Sequence, residues 1–580
     1  MIRKSLYPFS IFILAFAVRF IYLNQIAVNS PFFKGLVLDS LFYDNWARQI
    51  ASGNWLGGDV SYGSLAYPYF LAIAYKILGH NLYMVRYLQF IFGSLSCVLI
   101  YLLGRKIFNK RVGIIASGIS VFYAPFIFHE GLLMPAFLSI FLGCLALLVI
   151  LKALENPVWW RWIFGGVMLG LGSLVTPGIL LFVPLIVVGM IATLSRTGVS
   201  SARADVPPVT VHNRRVALYA ISLCIGLMLV MLPVGVRNYL AGKKFVFIPV
   251  HSGINFYIGN NLYANGSFDP PNGIRTTQEG LLEDSKLIAQ RKTLRNMDLQ
   301  EVSRFWFMEG VRFIKEYPFR YLLLVLRKFL LFWNGYEVSD VENYYFCMRY
   351  SSLISMLIQF SFVSWLSLLG LLLSLKNWDR VLPLYLFLFT WITACMSFFV
   401  NARYRLSAVP VLIIFASYAL YWWFNQWKDK NYKGILFSAA LSIPVFLIVN
   451  MRIITVDYSG SFNTVGTIYA RDGLYDEAIN QFQKAIRLRP DYAQAYANLG
   501  DAYMDKGMLN KAIEEYKKAI GLEPDAVHLH CNLAILYVKA GEEKNALNEC
   551  EIVLKIDPSN KIAKEILFLT NYPDNDISKN

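Results

Sequence analysis

Charge is scarce in this sequence. Of its 580 residues only 16% are charged, 56% are hydrophobic, and the mean hydropathy is +0.46. That balance excludes an ordinary soluble globular protein and points to a polytopic membrane protein. Acid is scarcer than base, 38 Asp and Glu against 54 Lys and Arg. Positive charge at the ends of membrane spans is the usual topology signal, so the excess is read as orientation and no nucleic acid is inferred as a partner. The 7 cysteines contain no CxxC pair and no ligand cluster. Cys97, Cys144, Cys224 and Cys395 lie in apolar runs, Cys347 in a loop, and Cys531 and Cys550 in the tail, where they read as small buried hydrophobes. The start MIRKSLYPFSIFILAFAVRFIYL lacks a small-residue cleavage site and reads as an uncleaved first span.

What is present is a series of apolar runs. A helix needs roughly 20 apolar residues to cross a bilayer. Runs near residues 6–24, 82–104, 112–128, 131–151, 162–176, 177–194, 216–236, 351–375, 381–400, 408–427 and 434–451 predict about eleven spans. The stretch FRYLLLVLRKFLLFW, residues 319–333, is short and carries Arg327 and Lys328 in its middle. Charge at the centre of a span is costly, so an amphipathic helix lying at the interface is predicted there. The basic segments RKIFNKR (105–111), Arg196 to Arg215, KNWDR (376–380) and KDKNYK (428–433) then fall on the cytoplasmic side, as the positive-inside rule prefers. Residues 25–81, residues 237–350, the link NARYR (401–405) and everything after residue 452 face the outer side.

The tail is charged, rich in alanine, and periodic. Pro490, Pro524 and Pro558 stand 34 residues apart, and the same step relates Gly473, Gly507 and Gly541, Tyr469, Tyr503 and Tyr537, and Ala478, Ala512 and Ala546. A 34-residue helix-turn-helix unit is the tetratricopeptide (TPR) signature. Small residues let paired helices approach and proline ends the second helix. The predicted fold is all-α: a polytopic transmembrane domain over residues 1–452, then an α-solenoid over 453–580, with repeats at 457–490, 491–524 and 525–558 and a capping helix at 559–570. Such a stack offers a concave surface to a protein partner.

Three stretches could carry chemistry. In LDSLFYDNWARQIASGNW, Phe42, Trp46 and Ile50 share one face of a helix, while Asp44 and Arg48 form an i, i+4 pair in which Asp44 reads as a solvated partner. Asp39 opens that helix, either as an N-cap or as a general base or metal ligand, and the two roles can overlap. In FYAPFIFHEGLLMP, Glu130 adjoins His129 between aromatic runs, an expensive place for ionisable groups unless they act, although a polar turn facing headgroups fits as well. Should Asp39 and Glu130 meet, they would form a two-carboxylate site able to take a hydroxyl proton or hold a divalent cation. In VNARYRLSAVP, Arg403 and Arg405 flank Tyr404. Arginine matches phosphate by bidentate hydrogen bonds. It also anchors ordinary headgroups, but on the outer face it runs against the orientation bias. Residues 243–271 mix glycine, amides and aromatics, among them His251, Asn255, Tyr257 and Asn260, suited to sugar rings and equally to ordinary loops.

Together, the first-loop aspartate, the acid between spans three and four and the ARYRL link resemble GT-C glycosyltransferases over roughly residues 1–450. The resemblance is to the family 39 group, which contains protein O-mannosyltransferases and lipid A aminoarabinose transferases. HSGINFYIGNN is similar to a loop of bacterial relatives with TPR tails. The resemblance implies a multi-pass enzyme of the cell (inner, cytoplasmic) membrane. It would take a sugar from a polyprenyl-phosphate carrier and give it, with inversion, to a glycan, lipid or protein acceptor on the extracytoplasmic face, where the TPR array also lies. It places Asp39 at the acceptor as base or orienting group, Glu130 with His129 at the second acidic position, and Arg403, Tyr404 and Arg405 near the donor phosphate. Asp44, His251, Asn255, Tyr257 and Asn260 become substrate-binding candidates. The pair Asp39-Ser40 departs from the Asp-Glu pair typical of the mannosyltransferases, which leaves the protein acceptor of that branch open. The first outer loop has no DxD motif, so no cofactor is assigned and a divalent cation stays open. The alternatives are a glycan transferase of O-antigen-ligase or oligosaccharyltransferase type and a non-enzymatic TPR scaffold.

Overall fold

The computed structural model describes residues 2–56, 64–194, 208–242, 250–271, 273–339 and 341–571. Most of the expected basic loop from Arg196 and the first seven residues of the 243–271 stretch lie outside them. Among the described residues every regular element is a helix, with one isolated β-bridge between Tyr123 and Ile358. The chain divides into two compact units: Met1–Ser30, Asp39–Asp269 and Met297–Ile454 form the membrane unit, while Pro31–Leu38, Pro270–Asn296 and Thr455–Asn580 form the repeat unit.

In the membrane unit six stretches are long and apolar enough to cross a bilayer: Leu6–Asn29, Leu82–Ile107, Ala136–Glu155, Arg214–Ala241, Phe360–Ser397 and Tyr432–Val449. The sequence predicts about eleven, a count that these six described stretches do not confirm; Phe360–Ser397 alone covers most of the expected spans 351–375 and 381–400. The expected span 112–128 breaks at Phe122, giving helices Lys110–Val121 and Ala124–Gly131. The freed backbone groups are satisfied elsewhere: Ala124 N–H donates to the Ile358 carbonyl and Ile358 N–H to that of Phe122, both at 2.9 Å. Helix Val409–Lys428 buries every residue from Val409 to Ser417. Its second half is more open, with Phe424 and Trp427 exposed. Where helices Trp159–Val175 and Pro208–Gly242 cross, a β-carbon on Gly166 would meet the Leu223 carbonyl oxygen at 2.0 Å and one on Gly226 that of Ile163 at 1.9 Å. Small residues at such crossings let backbones approach closely.

The helix predicted over residues 319–333 is Pro318–Trp333, 16 residues, about 24 Å long at 1.5 Å per residue and shorter than a hydrocarbon core of about 30 Å. Phe319, Leu322, Leu323 and Leu326 are exposed along one side. Lys328 is turned inward and fully buried, its ammonium donating to Asn260 Oδ1 at 3.0 Å and the Met396 carbonyl at 3.1 Å.

The repeat unit follows the 34-residue register. Paired helices Ser459–Arg471 and Tyr475–Leu488, Ala493–Asp505 and Leu509–Leu522, and Val527–Lys539 and Glu543–Ile556 precede a final helix, Lys561–Asn571. The turn glycines 473, 507 and 541 have φ of +78°, +77° and +75°, a left-handed conformation that glycine adopts without strain. Ala478, Ala512 and Ala546 are fully buried. Within this unit the Pro31–Leu38 segment is held by the first repeat helix: Arg471 Nη1 donates to the Leu36 carbonyl at 2.7 Å, and a β-carbon at Gly35 would lie 2.4 Å from Ile468. The Pro270–Asn296 segment carries helix Gln278–Thr293, capped by Thr277 and clamped by Arg275 to Asp284 and Glu283.

Candidate active site

Helix Leu38–Ala51 begins one residue before Asp39, which therefore lies inside the first turn and is not the N-cap. Negative charge is favoured there by the helix dipole. The Asp39 carboxylate accepts from Arg403 Nη1 at 2.9 Å, and the two side chains are 9% and 13% exposed. Arg403 stands on the short turn Ala402–Arg405, fixed by Asn401 Oδ1 accepting from the Tyr404 N–H at 2.8 Å and by the Ala402 N–H donating to the Val338 carbonyl at 2.9 Å. One turn after Asp39, the buried Tyr43 hydroxyl accepts from the Ser64 N–H at 3.4 Å. Burial first, then the Asp39 charge, keeps that phenol protonated.

Glu130 does not join Asp39 in a carboxylate pair. Arg19, in the first span, grips it with Nε at 2.6 Å and Nη2 at 3.0 Å, both side chains being buried. Gly93 makes room, since a β-carbon there would sit 2.2 Å from Glu130 Oε2. Its neighbour His129 is 5% exposed and neither ring nitrogen has a hydrogen-bond partner among the described residues. Burial, and then Arg403 and Arg405, push the imidazole down to about 3, so it is neutral.

Arg405 is committed to the protein. Its Nη1 donates to the carbonyls of Phe332 and Asn334, and its Nη2 reaches Glu337 Oε2 at 2.8 Å. The guanidinium lies 3.5 Å over the Phe360 ring and is 1% exposed. Glu337, which sequence reasoning passed over, lies in GYEVSDVENYYF together with Glu342. Burial pushes the Glu342 carboxyl up to about 7 against the pull of Arg86 and the Cys347 thiol. Acids within an aromatic run were the available signal for both. The same signal, a charge within an apolar run, marks Arg19.

Asp44 is 2% exposed, which corrects the solvated reading. Besides Arg48 at 2.9 Å it accepts from the Tyr75 hydroxyl at 2.5 Å and lies 2.8 Å from His80 Nε2. The segment after residue 250 is helix Ser252–Gly259, not an open loop. A β-carbon at Gly253 would meet the Ser303 carbonyl oxygen at 1.8 Å, so this glycine serves close packing. His251 and Asn260 are buried, Asn255 and Tyr257 half-buried. Asn260 spends its amide on the Phe256 and Ser397 carbonyls and its oxygen on Lys328. Tyr257 packs on Trp306, ring centres 4.7 Å apart. Among the described residues no group of three or more His, Cys, Asp or Glu is placed to hold a metal ion.

Residues 63–204 match the family described as dolichyl-phosphate-mannose-protein mannosyltransferase, and residues 466–507 and 500–541 match the TPR repeat. No curated protein matches the chain. Among solved structures, the archaeal oligosaccharyltransferase AglB from Archaeoglobus fulgidus is similar at 13% identity, with 84% of this chain and 60% of that one covered and a TM-score of 0.42. The Arabidopsis OM64 TPR domain is similar at 20% identity, with 20% of this chain and 95% of that one covered and a TM-score of 0.19.

Proposed function

We propose that the membrane unit transfers a sugar from a polyprenyl-phosphate carrier to an acceptor hydroxyl on the extracytoplasmic face of the cell membrane. The observation that carries this reading is the Asp39–Arg403 pair, a carboxylate and a guanidinium in direct contact and largely shielded from water. Such a pair supplies what the displacement needs: a proton acceptor for the incoming hydroxyl and a fixed cation for the departing phosphate. The acceptor oxygen bonds to the anomeric carbon as the bond from that carbon to the phosphate oxygen breaks. The phosphate leaves with the electron pair, Asp39 takes the hydroxyl proton, and a single displacement inverts the anomeric centre. Arg403 turns to the phosphate, while Arg405, tied to four backbone carbonyls and Glu337, keeps the turn in place.

The mannosyltransferase-family match over residues 63–204 supports sugar transfer from a lipid carrier. The repeats take a protein partner on their concave side. The repeat unit includes pieces of both expected outer loops, residues 31–38 and 270–296, which supports placing the repeats on the same side of the membrane as those loops. The test is transfer of labelled sugar by the purified protein in membranes from a panel of polyprenyl-phosphate donors, with Asp39→Asn and Arg403→Ala alongside. Consumption of one donor, stopped by both variants, is the expected result. Consumption only of a diphosphate-linked oligosaccharide, or activity undiminished in both variants, overturns the proposal.

A further inference from the structure

Around the Asp39–Arg403 pair the membrane unit buries several polar groups that it does not itself satisfy. Asn401 is fully buried; its Oδ1 accepts from the Tyr404 N–H, but its Nδ2 has no partner among the described residues. The Ser339 hydroxyl oxygen and Glu337 Oε1 are likewise out of solvent and without partners. The bond from the Ala402 N–H to the Val338 carbonyl brings residues 337–339 alongside 401–403. His129, with both nitrogens unpaired, is near enough to feel the charges of Arg403 and Arg405.

A buried polar atom left without a partner is costly, and native structures hold few of them. Four such groups lie among the residues that adjoin one ion pair. Among the described residues the charges of Arg403 and Arg405 are matched by Asp39 and Glu337, so the polar groups left over suit a neutral partner. The unpaired set mixes donor and acceptor: an amide N–H, a hydroxyl, a carboxylate oxygen, and an imidazole that offers one nitrogen of each kind. A ring bearing several hydroxyls, each both donor and acceptor, meets that mixture.

We propose that His129, Glu337, Ser339 and Asn401 form the recognition shell for the hydroxyls of the transferred sugar, beside the pair that acts on its anomeric carbon. This rests on the sugar-transfer reading above and adds the residues that choose the sugar. A site built to hydrogen-bond a hydroxyl discriminates strongly against an analogue that lacks it.

The groups are unpaired among the described residues, so removing them should leave the fold intact while recognition fails. The variants are Ser339→Ala, His129→Phe, and Asn401→Ser, whose hydroxyl oxygen can still accept from the Tyr404 N–H while the amide donor is gone. Two readouts apply to the full chain in membranes or detergent: the thermal midpoint with and without carrier, comparing polyprenyl phosphate bearing the sugar with bare polyprenyl phosphate, and kcat/KM for transfer. The expected result is an unchanged or raised midpoint without carrier, loss of the extra shift given by the sugar-bearing carrier, and kcat/KM lower by roughly 10- to 100-fold. Deoxy-sugar carriers should reproduce part of that loss in the wild type and add little in the variants. A midpoint that falls in all three variants, or a sugar-dependent shift that survives in them or is missing from the wild type, overturns the proposal. Absence of transfer with the sugar-dependent shift intact overturns the transfer reading alone.

Discussion

Arg403 and Arg405 stand two residues apart on one short turn, yet their surroundings differ in kind. Arg405 is 1% exposed and surrounded by carbonyls, an aromatic face and Glu337; Arg403 is 13% exposed and faces Asp39. Arg405 belongs with the Arg19–Glu130 clamp, a buried pair fully consumed in holding segments together. A buried pair adds little net stability over an apolar equivalent, but losing one partner strands the other's charge. The contrast separates charges that keep the membrane unit assembled from the charges proposed to act on substrate, and the amino-acid types alone do not make that distinction.

Substitutions on the two sides should therefore fail differently. The largest effect is expected for Asp39→Asn, a loss of about 10²- to 10⁴-fold in turnover, measured as initial transfer rates at saturating donor, with the folded fraction close to wild type. Next, Arg405→Met should cost about 3–5 kcal/mol of stability by stranding Glu337, read as loss of folded protein after detergent extraction. An Arg405→Met protein that keeps wild-type stability would erase the contrast.

A smaller effect concerns Glu342. Its carboxyl is raised to about 7 when folded, against an ordinary value of 4.5. The folded state thus binds the proton more tightly than the unfolded chain, and stability falls as pH rises between those values. This contribution is complete below the unfolded value and gone above the folded one. Glu342→Gln should flatten that slope in thermal unfolding measured from pH 4.5 to 8, and an unaltered slope would assign the titration elsewhere. The smallest effect is Gly507→Ala, about 1–2 kcal/mol for a β-carbon in the left-handed conformation, visible as earlier melting of the repeat helices by circular dichroism.

The repeats were legible because four residue types keep one register over three copies, and each has a local cause: the turn glycines take positive φ, the alanines sit between helices. Asp39 and Arg403 were legible as ionisable groups at the ends of apolar runs. Their pairing was not, because 364 residues separate them. The same holds for Glu130, whose partner comes from the first span, and for Asp44, whose burial depends on Tyr75 and His80 arriving from the next helix.

The bond between Arg471 and the Leu36 carbonyl closes a loop of 435 residues. During synthesis the Pro31–Leu38 segment leaves the ribosome long before the helix that receives it, so it waits without its partner until the first repeat has been made. A chain cut short anywhere before residue 455 lacks every repeat helix, and with them the Arg471 donor to the Leu36 carbonyl. The order of synthesis thus ties the final form of this early segment of the repeat unit to the last-made part of the chain.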